Sequence, residues 1–358
     1  MSRKVSLYTA KNIVIRGVNW IGDAVMTLPA IGAVRHQCPD ARITILANPL
    51  VAQLFQGHPW VDAVMTFDRS GKHRGVMGRI RLARELRAQK FDAALILPNS
   101  FDSAVVPWMA GIPCRVGRAS DGRRLLLTES FTPDTQRLAN HHESEYYRDL
   151  VAAFGISREG SVPQLLTLSE TERQQSANLL SAYGVTDDSL LVGFSLGAAY
   201  GTAKRWLPER FAEVAARLAD ERGAQCVFIG SPSEASVADE VSKLLHGRCI
   251  NLAGKTSIRE LMAIIARCNL FVTNDSGPMH IAAAFDRPIV AIFGSTDYHR
   301  TFPLATHVEI VTRDADCAPC RYRDCPTDHR CMTMVTVDDV VQAAFRVCEK
   351  GRQIKGEA

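Results

Sequence analysis

Short runs rich in Val, Ile and Leu recur along the chain, separated by longer stretches in which apolar residues return every three or four positions. That alternation predicts parallel strands covered by helices, an α/β architecture. In the first half strands are expected over 12–16, 42–46, 63–67 and 93–97, with helices over 23–37, 49–56 and 76–89. In the second half strands are expected over 190–194, 225–229, 249–252, 270–273, 289–293 and 308–311. The stretch 208–222 carries an apolar stripe at Phe211, Val214, Ala215 and Leu218, as a helix lying on a sheet requires. Further helices are expected over 279–285 and 337–349. Pro163, a polar helix-like run and Gly184 mark a linker within 157–184. The division is therefore 1–170, 185–335 and a terminal helix and tail over 336–358.

A chain of 358 residues exceeds one typical core, which agrees with two domains. Hydrophobic residues make up 46% and charged residues 22%, ordinary for a soluble protein. No apolar run nears the ~20 residues that span a bilayer, and the N-terminus lacks an apolar leader segment, so a cytoplasmic protein is expected. The net charge of +4 is mild but unevenly placed. Between Arg69 and Lys90 eight Lys and Arg face a single acid, Glu85, and Arg115, Arg118, Arg123 and Arg124 follow. Such runs are either solvated helix faces or surfaces for an anionic partner such as a phosphorylated lipid or a membrane. No RNA- or DNA-binding motif accompanies them, so no nucleic-acid partner is expected.

Each half opens with a strand running into a glycine-containing loop and a helix: Ile13-Val-Ile-Arg-Gly-Val-Asn-Trp-Ile-Gly-Asp23, and a second loop through Gly197 to Lys204 and Trp206. Two such domains facing each other would set both loops at the carboxyl ends of their strands, where open α/β sheets bind ligands. Neither loop has GxGxxG or a P-loop, against a dehydrogenase or a nucleoside triphosphatase. The most informative segment is Phe271-Val-Thr-Asn-Asp-Ser-Gly-Pro-Met-His280. It reads as a strand, a turn capped by Asn274, Asp275 or Ser276, and a helix with Pro278 at its first position. Backbone N–H groups and the helix dipole would there face an anion, typically a phosphate, with His280 in the first turn. Asp23 at its own loop–helix junction is either a helix-start carboxylate or a general base. Lys204 is either surface decoration or a cation facing a diphosphate.

Five segments, Asn19-Trp-Ile-Gly-Asp23, Leu97-Pro-Asn-Ser-Phe101, Ala110-Gly-Ile-Pro113, Ala203-Lys-Arg-Trp206 and Thr273-Asn-Asp-Ser-Gly-Pro-Met-His280, occur in this order. Together they resemble the lipopolysaccharide heptosyltransferases, nearer their heptosyltransferase II branch than heptosyltransferase I. The resemblance implies a GT-B-like fold, two facing Rossmann-like domains with an interdomain cleft. It implies inverting transfer from ADP-heptose to a lipid A-anchored inner-core oligosaccharide, at the inner face of the cytoplasmic membrane, with no metal or cofactor needed for catalysis. Carried over, Asp23 becomes the base that activates the acceptor hydroxyl, and Lys204 a catalytic contact to the donor phosphates. Gly197, Asp275, Ser276, Gly277 and His280 become further donor contacts, with Glu234 reaching the adenosine ribose. Asn19, Asn99, Ser100, Arg118, Arg123 and Arg124 become acceptor contacts. Heptosyltransferase I activity on Kdo-lipid A, a nucleotide-sugar epimerase and a non-catalytic, metal-stapled protein that binds membrane or nucleic acid through its basic face are the alternatives.

Ten cysteines without an export signal do not suggest a disulfide framework. Cys38, Cys114, Cys226, Cys249, Cys268 and Cys348 read as core fillers. Cys317, Cys320, Cys325 and Cys331, with His329 between them, have the ligand inventory of a structural zinc or iron–sulfur site. A reduced or disulfide-paired loop is the competing reading.

Overall fold

The computed structural model describes residues 6–134, 136, 141–158, 163 and 165–355. The chain divides into two compact units between Thr167 and Leu168.

In the first unit the strands are β1 (Asn12–Arg16), β2 (Arg42–Ala47), β3 (Ala63–Thr66), β4 (Ala93–Ile96), β5 (Cys114–Arg118) and β6 (Glu129–Phe131). They pair in parallel in the order β3-β2-β1-β4-β5-β6. In the second unit they are β7 (Leu191–Ser195), β8 (Gln225–Ile229), β9 (Ile250–Asn251), β10 (Leu270–Asn274), β11 (Ile289–Ile292) and β12 (Val308–Val311). Their order, β9-β8-β7-β10-β11-β12, is the same pattern repeated. This is the doubly wound arrangement, and its strand order reverses between β1 and β4 and again between β7 and β10.

Central strands β4, β7, β10 and β11 are buried along their whole length, as helices on both faces of a parallel sheet require. One apolar cluster unites Val14, Leu46, Leu82, Leu86, Ala94 and Ile96 within the first unit. Another unites Val192, Phe194, Phe211, Phe228, Val272, Val341 and Val347 within the second. Helix Pro208–Arg222 buries the expected stripe at Phe211, Val214, Ala215 and Leu218.

Several expectations are corrected. Strands β5 and β6 and helix Phe101–Met109 stand where no regular element was expected. The helix expected over 23–37 is two helices, Ile21–Met26 and Leu28–Gln37, parted at Thr27. Pro29 has no N–H to continue the first helix, and Thr27 turns its hydroxyl back to Ala24 O at 2.6 Å. The linker region holds helix Glu170–Ser181, opened by a capping box between Ser169 and Glu172. This helix is part of the second unit, because Arg259 of helix Ile258–Arg267 grips Glu172 with two bonds of 2.6 and 2.7 Å. The final helix, Val337–Lys355, likewise packs on that unit's sheet, against β11 and β12.

The Arg259 fork, with the Ser169 bonds, holds the Glu172 carboxyl at about 2, below its ordinary 4.5. A depressed folded value stabilises above the unfolded value and is lost as pH falls through the folded one. Glu172→Gln should therefore lower the melting temperature at neutral pH. The gap should shrink from about pH 4.5 downward and close near pH 2, as thermal scans against pH would show.

Candidate functional site

β10 ends at Asn274, and helix Gly277–Ala284 begins three residues later. Ser276, extended at φ −148, is the N-cap, and Pro278 is the second helical residue, not the first. Asn274 is fully buried; its Oδ1 accepts Trp206 N at 3.0 Å and its Nδ2 donates to Leu196 O at 2.7 Å. One amide thus binds the ends of β10 and β7 to the loop that carries Lys204. Satisfying a buried amide on both sides makes that junction rigid.

Lys204 closes a short 3-10 turn, and its Nζ lies 2.6 Å from Asp275 Oδ2. Thr296 Oγ1 donates to the same oxygen at 2.7 Å. Asp275 is only 5% exposed, so this ammonium and hydroxyl replace most of its hydration. The ring of Tyr200 lies 5.3 Å from the ammonium. Ser276 and Gly277 remain partly open at the helix N-terminus, while His280 is buried beneath them. A preorganised cation beside open backbone N–H groups is the electrostatic arrangement that receives a phosphate.

Gly197 follows β7 closely and is required by Glu234. A Cβ there would stand 1.3 Å from Glu234 Oε1. Glu234 itself is held by a capping box, with Oε2 accepting Ser231 N at 2.6 Å and Ser231 Oγ at 2.8 Å. Gly197→Ala must therefore displace the carboxylate. If Glu234 contacts the donor, Gly197→Ala and Glu234→Ala should each weaken donor binding by about ten- to a hundredfold, the range of a hydrogen bond to a charged group. The double variant should be no weaker than either single one, measured by calorimetric titration of the donor.

The cysteine segment lies against this site. Tyr200 OH donates to Arg321 O at 3.2 Å, Ala203 N to Arg323 O at 3.1 Å and Thr202 Oγ1 to Asp324 Oδ1 at 2.7 Å. His329 Nε2 meets Ala203 O at 3.0 Å. A Cβ on Gly201 would lie 2.0 Å from Arg323 O, so the approach needs glycine. None of Cys317, Cys320, Cys325 and Cys331 is in a disulfide. Among the described residues no three His, Cys, Asp or Glu side chains are placed to hold a metal ion. The four thiols also differ. Bonds from Thr327 lower the Cys325 thiol, whereas burial pushes Cys331 up to about 11.

The residues expected in the first unit stand in and after the carboxyl ends of β1, β4 and β5. Asp23 is the third residue of helix Ile21–Met26, half-buried beside the buried Tyr147, whose hydroxyl is raised well above its ordinary value by burial and then by Asp23. Asn19, exposed in the loop after β1, accepts Arg16 Nη2 at 3.1 Å. Asn99 accepts Tyr146 OH at 2.7 Å, and Ser100 stands at the N-cap position of helix Phe101–Met109 without a side-chain capping bond. Arg118 lies with its guanidinium 5.7 Å from the Tyr146 ring centre, and Arg124 is exposed.

Arg123 has a different task from the expected acceptor contact. It is fully buried, donating to Arg118 O at 2.8 Å, to Ser103 Oγ at 2.8 Å and to Pro98 O. It is a strut between the loops after β4 and β5.

Residues 79–330 match the model of glycosyltransferase family 9 (heptosyltransferase). The chain belongs to glycosyltransferase family 9. As a family 9 glycosyltransferase it is an enzyme, and it is 33% identical over 309 residues to lipopolysaccharide heptosyltransferase 2 of Escherichia coli K12, a match covering 84% of this chain and 87% of that one. The Salmonella typhimurium protein of the same name is 32% identical over 306 residues, with the same two coverages. Among solved structures, Escherichia coli ADP-heptose lps heptosyltransferase II matches with a TM-score of 0.81 and 30% identity over 96% of this chain and 99% of that one. A family 9 glycosyltransferase from Veillonella parvula gives 0.87 and 25% identity over 98% and 100%. The fold is thus of the GT-B type found in this family.

Sequence reasoning overlooked Arg16 beside Asn19 in the first unit, and Thr296 and Asp324 beside Asp275 and Thr202 in the second. Asn274 lies inside the recognised motif but reads there only as a cap. Arg16 is buried, which lowers its pKa to about 10, and the one signal in the sequence was a cation closing an apolar strand.

Proposed function

We propose that this enzyme transfers L-glycero-D-manno-heptose from ADP-heptose to the first heptose of the lipopolysaccharide inner core, with inversion. The Lys204–Asp275 pair beside the N-terminus of helix Gly277–Ala284 carries this reading, supported by the heptosyltransferase 2 relatives. Asp23 takes the proton of the acceptor hydroxyl as that oxygen attacks C1 of the donor heptose from the face opposite ADP. The bond from C1 to the β-phosphate oxygen breaks, its electron pair leaves with ADP, and Lys204 and the helix N–H groups stabilise the charge. Asp275, Ser276, Gly277 and His280 surround the heptose and diphosphate, Gly197 admits Glu234, and Glu234 reaches the ribose. Asn19, Asn99, Ser100, Arg118 and Arg124 line the acceptor side. Base and cation both come from the chain, so the step calls for no metal.

Such an acceptor is anchored in lipid, and the enzyme works at the inner face of the cytoplasmic membrane as a peripheral protein. No helix among the described residues is long and apolar enough to cross a membrane.

The deciding assay is ADP release from ADP-heptose with lipid A bearing Kdo and one heptose, compared with Kdo-lipid A. Release with the first acceptor, and a product heavier by one heptose, supports the proposal. Release only with the heptose-free acceptor makes the enzyme a first heptosyltransferase. No turnover with either removes the reading.

A further inference from the structure

Helix Gly75–Ala88 follows β3, at the carboxyl edge of the first unit's sheet, and leaves its first turn unusually apolar and uncovered. Val76 is 69% and Met77 70% exposed, while Gly78, Leu82, Ala83 and Leu86 face the core. Single exposed aliphatics are common, but two adjacent ones at a helix tip cost hydration without gaining a contact. At 100° per residue, Met77, Arg81 and Arg84 lie on one exposed stripe, and Arg74 precedes the helix.

The cations around this tip fall into two sets. Arg69 and Arg79 pair with Asp102 at 3.3 and 2.5 Å, and Lys72 with Glu85 at 2.7 Å, fastening the loop and helix to the unit. Arg74, Arg81 and Arg84 are exposed and form no ion pair among the described residues. The first turn holds no acid to balance them or the positive end of the helix dipole. Aliphatic tips flanked by unpaired arginines match the boundary of an anionic bilayer, where side chains enter the acyl region and guanidinium groups meet lipid phosphates. A nucleic acid would meet the charges but give Val76 and Met77 nothing to enter.

We infer that Val76, Met77, Arg74, Arg81 and Arg84 form a docking surface for a phospholipid bilayer with anionic headgroups. It deepens the proposed lipid-anchored acceptor reading, because docking here brings the edge that bears Asn19, Asp23 and Asn99 toward the membrane.

The test is flotation of the full chain with vesicles of phosphatidylcholine alone or mixed with phosphatidylglycerol, without donor or acceptor. The wild type should bind the mixed vesicles only and be released by salt. The triple variant Arg74→Glu, Arg81→Glu, Arg84→Glu should bind about a hundredfold more weakly. Val76→Asp with Met77→Asp should also release the protein, with the thermal midpoint of both variants unchanged. Heptose transfer to a deacylated, water-soluble acceptor should be equal in all three proteins. Equal binding to neutral vesicles, no binding to either, wild-type binding by either variant, or displacement by short duplex DNA would each overturn the docking surface. Docking with no transfer to any acceptor would leave the surface standing and remove the heptosyltransferase reading instead.

Discussion

Asp23→Ala should lower heptose transfer by about a hundredfold or more while leaving donor affinity and the melting temperature close to wild type. General-base catalysis contributes roughly 10²–10⁴ to a proton-transfer step. Asp23 is half-buried and lies in the first turn of its helix, where a carboxylate also complements the dipole, so its removal costs on the order of 0.3–1 kcal/mol of stability. A role confined to the helix would therefore show as a small melting shift with full activity. A role as base shows as a fall in kcat with the KM for ADP-heptose retained, and the activity lost should be the limb that rises with pH. Asp23→Asn keeps the size and the helix position and should be as inactive as alanine. Steady-state kinetics of both variants, with calorimetric titration of ADP-heptose, would separate the readings; an active asparagine variant would exclude the base.

Lys204→Ala is expected to be nearly as damaging, by a different route. Removing one preorganised group that stabilises developing charge costs about 10²–10³ in kcat. The resting ammonium already rests on a 5% exposed carboxylate, so deleting it leaves Asp275 buried with Thr296. Breaking a buried ion pair from one side costs roughly 3–5 kcal/mol of stability, less here because the lysine side chain keeps 16% of its exposure. Lys204→Ala should thus lose both activity and thermal stability. Combining it with Asp275→Asn should return much of the stability and none of the activity. Melting curves and ADP-release rates of the two singles and the double close the cycle. Activity regained in the double variant would mean that Lys204 only neutralises Asp275.

Most of the second sheet was legible in the amino-acid sequence because its strands are short apolar runs, and β7, β10 and β11 are buried along their whole length. The stretches 225–229 and 308–311 match β8 and β12 end to end. Strands β5 and β6 were not legible. Cys114-Arg-Val-Gly-Arg118 carries two arginines and a glycine, and reads as part of a basic cluster. Its pairing with β4 and β6 supplies the missing order, and such neighbours are invisible in a local pattern. Helix Phe101–Met109 hides behind Pro107, tolerated near its end. Around Lys204 and Asp275, the residues within recognisable motifs were legible and their partners were not. Thr296 and Asp324 reach Asp275 and Thr202 from segments with no local signal, across loops whose course only the fold determines. Arg123 shows the converse error. Its type and neighbours suggest a surface cation, yet three acceptors beneath the surface draw it inside.

Each unit encloses its own apolar cluster, and the strand order repeats on either side of Thr167 and Leu168. Such a chain is divisible in inheritance as well as in space. A crossover between two relatives at that point would leave both interiors with the side chains they were selected with. One descendant could then combine the first unit of one parent with the second unit of the other, without first having to repack either interior.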